Sequence, residues 1–314
     1  MRMSLDLSRS ADASEPAATG TSASWGSARV LVVIPLPDGG AATLERALRS
    51  VGAQRDEPVD VVVVGPAGSE DGEVGEVARR HAARVLARPG RGAAAAVNAG
   101  LRAASSAHRY GTWLCVDDVL LPGAVRTAAA ALDADPRAVL AFGDCRHESA
   151  DGEYLFTPHT GARLRRLLGI GADPPVAAAM LFRLDAVTTA GGLDEDLRYA
   201  IDLDLVLRLR RLGRFAPTGR TLAAFRCGQL EGGAGVVGGG AGGSTATATV
   251  TATAAVAESR AVLARHLPEP LRPLTSWRAA ARLTGRRALP GAVRAASWLE
   301  PAQPPEQLED ADRG

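Results

Sequence analysis

Two adjacent carboxylates, Asp117 and Asp118, stand where the apolar run Thr112-Trp113-Leu114-Cys115-Val116 gives out, just ahead of a proline-started helical stretch at Pro122. Like charges side by side repel, so a chain that sets both at the carboxyl end of a buried strand needs a cation there. A divalent metal holding a phosphate would supply one. Hard cations such as Mg2+ or Mn2+ take oxygen ligands and bridge to substrate phosphates, and ligands of open α/β sheets sit at that edge. The other reading is a solvated turn in which Asp118 caps the helix that follows.

The elements that must place this pair are legible from hydrophobic pattern. From Arg29 to about Phe142, short β-branched runs alternate with alanine-rich helical stretches, the pattern of a parallel sheet covered by helices. Strands are expected at 30–34, 59–64, 84–87, 112–116 and 138–142, and helices at 43–53, 71–83, 93–104 and 122–134. Beyond Gly143 the alternation loosens. Strand-like pieces at 153–157 and 178–182 flank a basic helix at 163–168, and residues 201–212 form a helix with Ile201, Leu205, Leu209 and Leu212 on one face.

Composition bounds the rest. A chain of 314 residues can bury one catalytic-size core with appendages. The expected organisation is a disordered tail at 1–28, a main domain at 29–230, a Gly/Ala/Thr-rich linker or loop at 231–257, a helical segment at 258–300 and an acidic tail at 301–314. There is no lysine, which excludes the usual phosphate-cradling P-loop and any lysine Schiff base. A net charge of +1 offers no general attraction to nucleic acid. Three dispersed cysteines argue against a zinc site or a disulfide framework and fit a reducing cytoplasm. No signal peptide or membrane-spanning run is visible. Arginines beside Trp277 and Trp298 suit peripheral contact with an anionic membrane, although Pro268, Pro270, Pro273 and Pro290 fit better with short helices packed on the main domain.

Several short motifs then recur in order: Val-Leu-Val-Val-Ile-Pro closing on Pro35, the Val61–Val64 run, Gly68-Ser69-Glu70-Asp71-Gly72, and Arg91-Gly92 with Val97-Asn98-Ala99-Gly100-Leu101. Trp113-Leu114 with Asp117-Asp118, Gly143-Asp144, and Gly191-Gly192-Leu193-Asp194-Glu195 before Asp202-Leu203-Asp204-Leu205 complete the set. Over roughly Arg29 to Arg226 this resembles the family 2 glycosyltransferases, which have the GT-A fold, a mostly parallel Rossmann-like sheet flanked by helices. The C-terminal helical segment would be an appendage to it. The resemblance implies an inverting transfer of sugar from a nucleotide-diphosphate donor to a hydroxyl acceptor, a glycan or a lipid-linked one. It implies Mg2+ or Mn2+ at Asp118 with Asp117 alongside, Asp202 as general base, and a donor pocket shaped by Asn98, with Arg91 near the diphosphate. Read without it, Asp202 is a first-turn charge answering a helix dipole and Arg91 a solvated turn residue. Asp204 lies about 200° around the helix from Asp202, so the two cannot share one site.

The chain departs from the family's pattern where the donor is held. The usual Thr-Tyr-Asn type of segment after the first strand reads Pro35-Leu36-Pro37-Asp38, and the nucleoside-recognising acid falls on Pro66. Another acidic position falls on Ala95, and the late metal-binding histidine on Gly228. Asp38 or Ser69 could take over nucleoside contacts. A second reading follows from these losses, a transferase-like protein without catalysis that acts as a partner or regulatory subunit. A dinucleotide-binding turn at Gly65 fails on spacing, because glycines are needed where Ala67 and Glu70 stand.

Overall fold

The computed structural model describes residues 25–37, 40–90, 92–149, 151–159, 176–226 and 245–266. Its first strand, β1 (Val30–Pro35), is buried along almost its whole length and runs parallel to β2 (Val59–Gly65), from Val30 opposite Val59 to Pro35 opposite Val64. Runs of valine suit a strand covered on both faces, and the helices supply the cover. Alternate side chains divide between two cores. Leu31, Val33, Val62 and Val64 face one, and Val30, Val32, Ile34, Val61 and Val63 the other.

Helices α1 (Ala41–Gly52) and α2 (Gly72–Arg80) follow β1 and β2, and β3 (Arg84–Ala87) leads to α3 (Ala93–Arg102) and β4 (Tyr110–Trp113). After β4 come β5 (Val119–Leu120), α4 (Ala124–Ala134), β6 (Ala138–Glu148), β7 (Tyr154–Phe156), β8 (Met180–Arg183) and α5 (Leu184–Thr189). The described chain ends with α6 (Ile201–Leu209), β9 (Arg214–Arg226) and α7 (Thr245–His266). The nine strands form one sheet in the order β3-β2-β1-β4-β8-β6-β9-β5, with β7 on β6. The β3-β2-β1-β4 half is parallel throughout, so β1, β2 and β4 present their carboxyl ends along one edge. Helix α3 lies very close to β1: a Cβ on Gly100 would stand 2.4 Å from Val33 Cγ1, which only glycine permits.

Several expectations change. The chain is docked from Trp25 rather than Arg29, since Gly26 donates its N–H to Asp60 at 2.8 Å and Arg84 lies over the Trp25 ring. The helix after the carboxylates starts at Ala124, not Pro122, because Val119–Leu120 is drawn into a strand against β9. Strand β6 runs six residues beyond Phe142, to Glu148, and pairs in parallel with β9, a strand whose Pro217 and Gly219 hide it in the sequence. Helix α6 stops at Leu209, short of Leu212. Finally, α7 already begins at Thr245, inside the stretch expected to be linker or loop, and farther along it Val262 and Leu263 are buried in the core shared with α6. The predicted basic helix at 163–168, Cys227 and Gly228, the Arg/Trp segment beyond His266 and the acidic tail lie outside the described residues. No helix among those described is long and apolar enough to cross a membrane.

Candidate active site

Strand β4 ends at Trp113, short of the expected Val116, because the chain turns at Cys115–Asp118, and that turn carries the carboxylates. Asp118 donates its N–H to Cys115 O at 3.0 Å, which reverses the chain and turns both acids inward. Asp117 is 7% exposed and Asp118 only 1%. The solvated-cap reading therefore fails. Helix α4 has Gly123 at its N-cap and no side-chain cap there, while Gln54 accepts the Val125 N–H at 3.2 Å and donates to Leu121 O at 2.9 Å.

Asp118 Oδ1 accepts the Arg226 N–H at 3.4 Å, and Oδ2 is buried with no hydrogen-bond partner among the described residues. A buried carboxylate oxygen without a donor is costly unless a ligand meets it. Burial pushes Asp118 up to about 8 from an ordinary 3.8, with the charges of Asp117 and Asp202 adding to that and the Arg226 N–H and Arg46 opposing it. Asp117 is raised as well, by burial, against the pull of the Thr43 hydroxyl, Arg226 and Arg46. The Cys115 thiol is pushed well up by burial and then by Asp118, Asp202 and Asp117. The charge of Asp202 is thus felt at both Asp118 and Cys115, and Ile201 beside it shares a core with Trp113 of β4.

Two arginines belong to the same place, and sequence reading missed both. Arg46 projects from α1 and donates through Nη2 to Glu148 Oε2 at 3.2 Å; Arg226, at the end of β9, stands opposite Glu148 in the β6–β9 register. Arg46 Nη1 and Arg226 Nε are buried without a hydrogen-bond partner among the described residues. Two cationic donors and one carboxylate oxygen thus lie unsatisfied around a single pair of acids. The Phe225-Arg226 segment was legible as a motif only for its missing histidine, and nothing local marks Arg46.

The other expected residues divide. Pro35 ends β1, Pro66 follows β2, and Ser69 donates its N–H to Pro66 O at 3.1 Å, so all three lie along the sheet edge that carries Asp117. Asn98 is buried within α3, where Nδ2 donates to Leu193 O at 2.9 Å and to Glu195 Oε1 at 2.8 Å, and Oδ1 accepts the Leu193 N–H at 2.9 Å. It staples the glycine turn that leads to Asp202, and Gly192, at φ +72°, leaves the room. Asp204 turns away from Asp202 and is held by Arg208 at 2.6 Å and by His266 Nε2 at 2.8 Å. Asp38 and Arg91 lie outside the described residues. No group of three or more His, Cys, Asp or Glu side chains placed to hold a metal occurs among those described.

A family model described as glycosyl transferase family 2 matches residues 31–187, half of the 314-residue chain. TarS residues 1–349 from S. aureus, solved with UDP-GlcNAc, is similar at a TM-score of 0.56 and 16% identity, over 81% of this chain and 72% of that one. The mannosyltransferase PcManGT from Pyrobaculum calidifontis, solved with GDP-Man and Mn2+, is similar at a TM-score of 0.56 and 19% identity, over 87% of this chain and 78% of that one. At such identities the likeness shows the fold alone. No curated protein sequence matches this chain.

Proposed function

The chain belongs to glycosyl transferase family 2, and from that premise we propose that it transfers a sugar, with inversion, from a nucleotide-diphosphate donor to a hydroxyl acceptor. A nucleotide-sugar glycosyltransferase on a GT-A fold accords with TarS bound to UDP-GlcNAc and PcManGT bound to GDP-Man and Mn2+. The observation that carries the mechanism is the buried Oδ2 of Asp118, without a hydrogen-bond partner among the described residues, beside Asp117 and within the field of Asp202.

Asp118 and Asp117 would hold a divalent cation, and two carboxylates suffice where substrate phosphates and water complete the ligand set. When bound, that cation neutralises the charge that develops on the departing phosphate oxygen. Arg46 Nη1 and Arg226 Nε, buried donors without partners among the described residues, would meet the diphosphate oxygens and offset the loss of acidic contacts at Pro66 and Ala95. Asp202 takes the proton of the acceptor hydroxyl as the acceptor oxygen bonds to the anomeric carbon. The bond from that carbon to the phosphate oxygen breaks, and its electron pair leaves with the nucleoside diphosphate.

The test is release of nucleoside diphosphate from UDP- and GDP-sugars in the presence of Mn2+ or Mg2+. Activity in the parent, lost on chelation and in Asp118→Asn and Asp202→Asn, is the expected result. Stability unchanged by every donor, with no release from any, would favour instead the non-catalytic partner reading that Pro66 and Ala95 suggest.

A further inference from the structure

Helix α6 has no cap of its own. Its N-cap residue is Ala200, whose side chain offers no acceptor, and no side-chain cap bond forms there. Amides leading into a helix need an acceptor, and an anion is their best partner. Here the anion comes from far along the chain. Glu258 of α7 accepts the Arg198 N–H with both carboxylate oxygens at 3.0 Å, and the Tyr199 and Ala200 N–H groups with Oε1 at 2.6 Å. Three successive amides aimed at one carboxylate form an anion nest filled from within the molecule.

Two further ties flank it. Arg265 donates to Asp194 Oδ2 at 3.1 Å, and His266 Nε2 lies 2.8 Å from Asp204 Oδ1. Val262 and Leu263, 0% and 3% exposed, join the core that holds Leu197, Ala200 and Ile201. Apolar packing alone would dock α7. The polar contacts add something packing cannot, a fixed backbone path both before Asp202 and just after it.

The geometry points to α7 as a clasp on the catalytic segment, with Glu258 as a positioning residue that fixes the amides of Arg198 to Ala200 and so aims Asp202, two residues on, toward Asp118. The inference rests on the reading of Asp202 as general base. A base must come within hydrogen-bond reach of the proton it takes, and a misplacement of about 1 Å can cost on the order of a hundredfold in rate. Without Glu258 those three amides lose their acceptor, and the backbone path into α6 is no longer fixed.

The test uses the full chain with UDP-GlcNAc and GDP-Man as donors and water as acceptor, in Mn2+, for the parent, Glu258→Ala, Glu258→Gln, Asp202→Asn and the Glu258→Ala/Asp202→Asn pair. Glu258→Ala should lower kcat about 10–100-fold with donor KM within about threefold, and Glu258→Gln, which keeps an oxygen for the amides, should recover most of it. Added to Asp202→Asn, Glu258→Ala should cost nothing more. Amide hydrogen exchange across 198–204 should quicken at least about tenfold in Glu258→Ala and return in Glu258→Gln, with α1 to α4 unchanged. Unaltered exchange in that segment, or a kcat loss that adds to that of Asp202→Asn, overturns the clasp. If the parent turns over neither donor, the transfer reading fails on its own, and exchange still decides the clasp. Should Glu258→Ala not fold, exchange across 198–204 is read in Glu258→Asp, whose shorter arm draws the carboxylate back from the three amides: faster exchange there supports the clasp, and parent-like exchange refutes it.

Discussion

Asp118→Asn should make the ligand-free protein more stable, although it removes the residue on which the proposed chemistry turns. The carboxyl of Asp118 is raised to about 8 from an ordinary 3.8, by burial first. Between those values the folded state holds a proton that the unfolded chain has released, so stability falls as pH rises through that window. At neutral pH the cost is about 1.4 kcal/mol per unit over roughly three units, on the order of 4 kcal/mol. Water penetration and the effective dielectric of real sites cut this to about 2 kcal/mol. The amide of the variant carries no titration, and its unpartnered donor costs about 1 kcal/mol. The variant should therefore exceed the parent by about 1 kcal/mol at pH 7, with a smaller or reversed gap at pH 5, where less of the titration cost has accrued. Urea unfolding of both proteins in chelator at pH 5, 6, 7 and 8 reads this directly. Millimolar Mn2+ should restore the parent at pH 8 and leave the variant unmoved, since a ligand of the folded state stabilises it by mass action. A parent whose ligand-free stability is flat or rising from pH 5 to pH 8, or a variant less stable than the parent at pH 7, would refute the reasoning.

Other outcomes follow from single contacts. Arg226→Met keeps the backbone N–H that Asp118 accepts but removes the buried Nε donor, so binding of UDP or GDP in Mn2+ should weaken about 10–100-fold by calorimetry, with folding intact. Gly100→Ala, ordinarily favourable within a helix, should instead cost about 1–3 kcal/mol in urea unfolding because its Cβ would meet Val33 Cγ1 at 2.4 Å, and Val33→Ala should relieve much of that loss. Asp133 is held below its ordinary value by the Tyr110 hydroxyl first and then by Arg29. Its contribution is full above the ordinary aspartate value and is lost as pH falls through the lower folded one. The stability difference between the parent and Asp133→Asn should shrink as the pH of the unfolding experiment is lowered from 6 to 3.

Much of the parallel half could be read from pattern. Valine runs at Val30–Ile34 and Val61–Val64 fit only strands covered on both sides, and the stretches between them have helical composition. The opposition of Asp202 and Asp204 was legible too, because helix periodicity alone separates them, and Asp204 does turn to Arg208 and His266. Strand β9 was not legible: Pro217 and Gly219 read as a turn, and its long pairing with β6 outweighs them. Neither was α7 before Glu258, where alanine, threonine and valine carry no helical stripe.

The sequence by itself determined the order of elements in the parallel half, the family, and the placement of Asp117 and Asp118 just past a strand's carboxyl end, since those depend on local propensity and on spacing along one segment. Only the tertiary structure decided what surrounds them. Arg226 reaches Asp118 across 108 residues, Arg46 reaches Glu148 across 102, and Glu258 reaches Ala200 across 58. Contacts over such separations are set by how sheet and helices pack, and burial without a partner, which makes Asp118 unusual, is a property of that packing and of no stretch of chain alone.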